Sequence, residues 1–388
     1  MSSTTVTSLR DANLARVLRL VHERGELTRA ELTAVLGISR NTSAQLSDEL
    51  VSRDLLMEGP APTAGRAGRP STLLRPGPAA PVAVVAEVAP QELRVAVVEL
   101  GRTVSDLSVK PLVTADPDTV LAELIQQVTK RVDRSGRRCA GVGVALYGLV
   151  DAAGTVATAA NLGWRDVAIG ARLAGALSAG LPVTVDNDAT VAALYEARHG
   201  AGRGARAVLY LYASVGVGGG LVIDGRLPPA RHGSTGEVGH MLVNPAGSTC
   251  RCGSVGCWET EADRRALRRR SPTAGASDSD AARTILERAT SGDTGARSAV
   301  DQTAAWFGEG LGSLLNILDP DRVIVAGFFA DLLAAAPQTV HARARARSLT
   351  AGLDLTDLVV AAEHAPQSAL LGAAERVLQP LLDPVAIA

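Results

Sequence analysis

Residues 232–261 read HGSTGEVGHMLVNPAGSTCRCGSVGCWETE, holding three of the chain's four cysteines, two histidines and three glutamates among Gly, Ser and Thr. Cys250, Cys252 and Cys257 stand as C-x-C-x4-C, with Gly253 and Gly256 letting the backbone turn tightly about a centre. His240 is the best candidate for a fourth ligand, and His232 competes with it. Three thiolates and one imidazole suit tetrahedral Zn2+, and four protein ligands leave no open position for hydrolytic chemistry. The expected cofactor is therefore a structural zinc on His240, Cys250, Cys252 and Cys257. Such a centre fixes its neighbours Glu237 and Glu259, whose carboxylates can accept hydrogen bonds from a polyol.

The surrounding chain has 388 residues, a formal net charge of −1 and 46% hydrophobic residues, enough for two or three domains with cores of their own. It shows neither a signal-peptide pattern nor a run of about 18 apolar residues, so a cytoplasmic protein with no membrane partner is expected. Clustered cysteines point away from a disulfide-stapled secreted fold and toward metal in a reducing compartment. Near-neutral charge excludes a large nucleic-acid-coating surface but leaves room for one small DNA-binding domain.

The first eighty residues match that domain. Leu14, Val17, Leu18 and Val21 recur at helical spacing until Gly25. Thr28 and Glu31 form a capping box for a helix whose Leu32, Val35 and Leu36 line one face up to Gly37. Ser39 caps the next helix, with Leu46 and Leu50 inward and Arg40, Asn41, Thr42, Ser43 and Gln45 on its leading turns, able to contact phosphates and base edges in the major groove of double-stranded DNA. A strand, a Gly/Pro-rich loop and a second strand follow as a wing, from whose GRAGRP Arg66 and Arg69 reach a minor groove or its phosphates. Residues 1–80 thus read as a winged helix-turn-helix, closed by PGPAAP at 76–81. Ten Arg and no Lys against eight Asp plus Glu leave it at roughly +2, so nonspecific affinity is expected to be modest.

From residue 82 strands alternate with helices, the pattern of α/β lobes with a mixed sheet. Asp186, Asn187 and Asp188 end the strand LPVTV and precede a helix, where open α/β sheets bind ligands. One of these aspartates serves as a general base or caps the helix. The run SVGVGGG at 214–220 is either a phosphate cradle or a turn between two strands, and it lacks the Lys of a Walker loop.

Taken together these stretches resemble the ROK group of repressors, open reading frames and sugar kinases. Its E-x-G-H motif stands as Glu237-Val238-Gly239-His240, and its C-x-C-G-x-x-G-C-x-E motif as CRCGSVGCWE at 250–259. GVGVALYGLVD resembles the sugar-lobe segment, with Tyr147 where proline is usual; NLGW at 161–164 and DNDATVAALYE resemble further sugar-contacting stretches, with Thr190 in place of an Asn. The resemblance implies an actin-like, two-lobed effector domain over 81–388. Lobe one would run over about 81–187 plus the C-terminal helix, and lobe two over about 188–370 with the zinc loop 240–257. The sugar would be held by Asn161, Asn187, Asp188, Glu237, His240 and Glu259, with His240 serving both zinc and sugar, in a homodimer or homotetramer.

Departures from the family kinases favour a regulator over an enzyme. EVAPQE at 87–92 replaces a D-x-G-G-T-K phosphate loop, Val215 replaces a hydroxyl residue, and Phe328 follows Gly327 where its ring is expected to fill nucleotide space. Loss of the Lys and backbone donors removes the stabilisation phosphoryl transfer depends on, leaving Asp188 as a vestigial kinase base and no catalytic residue. The resemblance therefore implies a repressor of carbohydrate uptake or metabolism genes, controlled by a sugar or sugar derivative. A sugar kinase with an added DNA-binding head, and a regulator that no longer senses sugar, are the alternatives.

Overall fold

A computed structural model describes residues 3–60, 72–134, 136–177, 180–229, 236–349, 352 and 354–382. The N-terminal part has helices Ser3–Arg24, Arg29–Leu36 and Arg40–Ser52, and an antiparallel sheet in the order Leu27–Thr28, Thr72–Pro76, Leu56–Pro60. Leu14, Val17, Leu18 and Val21 are buried along one stripe. The capping box is complete: Glu31 N–H donates to the Thr28 hydroxyl at 3.2 Å, and Thr28 N–H donates to the Glu31 carboxylate at 2.7 Å. Ser39 caps the third helix through Thr42 N–H.

Two expectations fail here. Val35 is 46% exposed, on the outer side of its helix. Ser43 is buried, because it shares the inward face with Leu46, Ser47 and Leu50 at i, i+3, i+4 and i+7. It is therefore withdrawn from any DNA-contacting surface, whereas Arg40, Asn41 and Gln45 are exposed and Thr42 is half-buried. Arg66 and Arg69 lie outside the described residues.

The chain divides into two compact units, the first comprising Met1–Ala145, Ile169–Val185 and Ala373–Ala388. The helix-turn-helix part is tied into this unit. Gly77 N–H donates to Leu55 O and Ala79 N–H to Asp54 O, so the proline-rich boundary is packed. Arg19 donates to Leu382 O, and Arg102 to the carbonyls of His22 and Glu23. Buried His22 accepts from Gly101 N–H at Nδ1, so Nε2 carries the proton given to buried Glu375 at 2.6 Å.

The unit's five-stranded sheet runs Val183–Asn187, Cys139–Leu146, Val82–Val88, Glu92–Glu99, Val104–Pro111. Its Val82–Val88 strand is buried throughout, the mark of a sheet covered on both faces. The hairpin at 87–92 is closed by Ala89 N–H to Glu92 O and by a buried cross-strand pair, Arg94 Nη1 to Glu87 Oε2 at 2.9 Å. Burial raises the Glu87 pKa, and Arg94 draws it back.

The second unit is Leu146–Ala168 with Asp186–Gly372, so residues 146–168, expected in the first lobe, group here. Its four-stranded sheet is ordered Val217–Ile223, Ala207–Ala213, Arg322–Gly327, Val359–Ala361, with the last two pairings parallel. Trp258, Phe307 and Phe329 stack in its core, with centroids of the two phenyl rings 4.1 Å apart. Phe328 is fully buried in the same cluster, so its ring does not fill a nucleotide space as expected. Gly218, Gly219 and Gly220 lie within a strand, since only residues 214–216 form the turn. A Cβ on Gly220 would come 2.5 Å from Ala193 Cβ, so the run lets helix Asp188–His199 lie directly on the sheet.

Candidate functional site

One cavity of about 510 Å³, wholly within the second unit, gathers Asn161, Asn187, Asp188, Glu237, His240 and Glu259. That volume suits a small ligand with a few fixed polar groups. Asn187 Oδ1 accepts from Thr190 N–H and its Nδ2 donates to Gly148 O, so this residue, rather than an aspartate, caps the helix Asp188–His199. Asp188 is buried at the first position of that helix, among the lining residues. Gly216 leaves room for two polar groups: a Cβ there would lie 2.8 Å from Glu259 Oε2 and 3.3 Å from Asn161 Nδ2.

The cysteine loop forms one wall of this cavity. Candidate ligand atoms of His240, Cys250, Cys252 and Cys257 all lie within 4.8 Å of one another. Cys250 Sγ is 3.7 Å from His240 Nδ1, and Cys252 Sγ is 3.7 Å from Cys257 Sγ. A tetrahedral ion with bonds near 2.3 Å to sulfur and 2.0–2.1 Å to nitrogen has edges of roughly 3.6–3.8 Å, so the donor set fits a metal. The left-handed turn at Gly256 holds the loop, where a Cβ would strike Asn244 O at 1.8 Å. His232 lies outside the described residues.

Local electrostatics separate the thiols. Burial pushes Cys250 up, and its neighbour Glu259, accepting from Sγ at 3.0 Å, adds to the rise. Burial opposes ionisation of Cys252 too, but the Ser254 N–H and the neighbouring thiols bring it down to about 7. Glu237 is raised by burial, lowered by His240 and raised again by Glu259; its Oε2 lies 3.7 Å from His240 Nε2. The two imidazole nitrogens thus face different ways, Nδ1 to the sulfurs and Nε2 to a cavity carboxylate.

Three lining residues, Arg165, Arg251 and Tyr212, escaped the sequence reading, whereas Tyr147 and Trp164 lay in stretches it singled out. Arg251 Nη1 donates to Asn161 Oδ1 at 2.8 Å, across ninety positions, and Arg165 joins it on the wall. Tyr147 meets Tyr212 edge-on with centroids 6.1 Å apart, both lining the cavity beside Trp164. Trp258 is core, donating from Nε1 to Trp306 O. Tyr212 had no signal beyond the alternation of its strand, whereas Arg251 lay between two ligand candidates and was legible as a neighbour.

The ROK family profile matches residues 87–379. A glucokinase of Halalkalibacterium halodurans is 36% identical over 203 residues, which is 48% of this chain, and the match spans 61% of that enzyme, under two thirds of its length. The xylose repressor of Caldicellulosiruptor bescii is 26% identical over 347 residues, covering 84% of this chain and 86% of the repressor. A crystal structure of a ROK family transcriptional regulator, a homolog of the E. coli MLC protein, superposes with a TM-score of 0.76 at 25% identity over 98% of both chains.

Proposed function

Because the chain belongs to the ROK family, we propose that it is a sugar-responsive transcriptional repressor of carbohydrate uptake or metabolism genes. One observation carries this reading: the same chain joins a helix-turn-helix, exposing Arg40, Asn41 and Gln45, to a cavity lined by three carboxylates and two amides. The lengths of the matches support it, since the repressor match covers 84% of the chain and the glucokinase match 48%.

In this reading Arg40, Asn41, Thr42 and Gln45 contact operator DNA, joined by Arg66 and Arg69 of the wing, and a homodimer or homotetramer sets the spacing of two heads. Asn161, Asn187, Asp188, Glu237, His240 and Glu259 hold sugar hydroxyls. Zn2+ is the structural metal on His240, Cys250, Cys252 and Cys257, chosen by soft donors and closed coordination. A metal-bound Cys250 is a thiolate and no longer donates to Glu259, which leaves that carboxylate for a hydroxyl. Asp188 is a vestigial base, because the hairpin at 87–92 carries the Glu87–Arg94 pair in place of glycines and Lys for phosphate. Sugar acts through its different affinities for DNA-competent and DNA-incompetent states.

The test is selection of duplexes from a random library by the metal-loaded protein, then mobility-shift titration with and without sugars. Operator affinity no better than for random DNA at matched salt would sink the proposal. Steady ADP release with a hexose, abolished by Asp188→Asn, would promote the kinase alternative.

A further inference from the structure

The cavity wall carries positive charge that a neutral sugar does not use. Arg165 and Arg251 share it with Asp188, Glu237 and Glu259, yet neither arginine is neutralised by them. Arg251 spends one N–H on the neutral amide of Asn161, and the Arg165 side chain has no hydrogen bond or ion pair with any described residue. Two half-buried arginines of the same unit are paired with carboxylates, Arg265 with Asp263 at 2.7 Å and Arg270 with Glu261 at 3.0 Å, whereas Arg165 and Arg251 are exposed at the cavity wall. Two guanidinium groups without a carboxylate partner on the wall of a polar cavity supply N–H donors that match the oxygens of a carboxylate or phosphate.

Resting on the sugar reading above, we propose that the effector is an anionic sugar derivative, a sugar phosphate or sugar acid. The carboxylates and amides take its hydroxyls, and Arg251 with Arg165 receives its anionic group. Asn161 is then a positioning residue as well as a sugar contact, since its Oδ1 aims Arg251. Arg251 also follows Cys250 directly, so a metal on the loop holds its backbone in register with the cavity.

The experiment measures binding to the full, metal-loaded chain by thermal shift and Trp fluorescence. Its probes are glucose, N-acetylglucosamine and xylose, the 6-phosphates of the first two, glucuronate, and inorganic phosphate, all at equal ionic strength. The expected result is an anionic derivative binding at least about tenfold more tightly than its neutral parent. The 6-phosphates and glucuronate distinguish phosphate from carboxylate as the source. Arg165→Gln with Arg251→Gln should abolish the preference while leaving the unliganded melting temperature and metal content unchanged. A neutral parent binding as tightly as its derivative overturns this inference and leaves the sugar reading standing, as does a preference that survives the double substitution. Inorganic phosphate binding as well as a sugar phosphate means an anion-only site and also overturns it. Binding by no probe overturns both.

Discussion

Two buried glutamates stand in different company. Glu87, in the first unit's hairpin, is matched across the strands by buried Arg94 at 2.9 Å, and both are closed off from water. Glu259, in the second unit, is equally buried, but among the described residues its Oε1 receives only the Cys250 thiol at 3.0 Å with Arg265 as far as 3.9 Å, and its Oε2 faces a glycine on a cavity wall. The first carboxylate is spent on the fold. The second has acceptor capacity left over, which a buried polar group keeps only where a ligand, ion or water completes it.

The comparison can be broken most severely at the proposed metal site. Cys250→Ser removes a candidate ligand beside Glu259, and structural zinc in small domains is worth roughly 10 kcal/mol of folding free energy. Loss of metal content and of cooperative melting is expected; unchanged metal content and melting would remove the structural-metal reading. On the hairpin side, Arg94→Leu leaves Glu87 buried and unpaired at a cost of about 3–5 kcal/mol, and adding Glu87→Leu should recover most of it. If the single change is neutral in urea unfolding, Glu87 is not held as described.

A third buried acid lies between the extremes. Asp263 caps helix Arg264–Arg270 through Ala266 N–H and pairs with Arg265, yet burial still holds its pKa up at about 6. A folded-state pKa raised above the ordinary 3.8 means stability that is complete below pH 3.8 and lost as pH rises through about 6. At ~1.4 kcal/mol per unit of pKa this is about 3 kcal/mol. Asp263→Asn keeps the cap and should flatten the fall in stability between pH 4 and 7 relative to the parent chain; equal slopes would mean that Arg265 neutralises Asp263 fully. The smallest effect sharpens the ligand side: Glu259→Gln should weaken effector binding by about 1.5–3 kcal/mol, the worth of a charged hydrogen bond, with little change in unliganded melting. Equal affinity in both proteins would place Glu259 with Glu87 as a residue of the fold.

Much of this was legible where the physics is local. The Thr28–Glu31 capping box, the stripe through Leu14 and Val21 and the cysteine spacing each involve neighbours along the chain, so residue types and intervals suffice. Ser43 was misread even at short range, because its polarity suggested water while the helical period placed it inward. The glycines at 218–220 suggested a turn, but the reason for them is a helix whose Ala193 sits 2.5 Å from where a side chain would begin.

By itself the sequence determined the family, the order of strands and helices, and the residue types able to ligate a metal or receive hydroxyls, since all of these depend on composition and short-range spacing. Tertiary structure alone decided that Phe328 fills a core, that Asn187 is the cap beside Asp188, and that Arg251 reaches Asn161 ninety residues away. Those outcomes depend on which distant segments fold against one another, and close packing allows a given space to hold only one side chain.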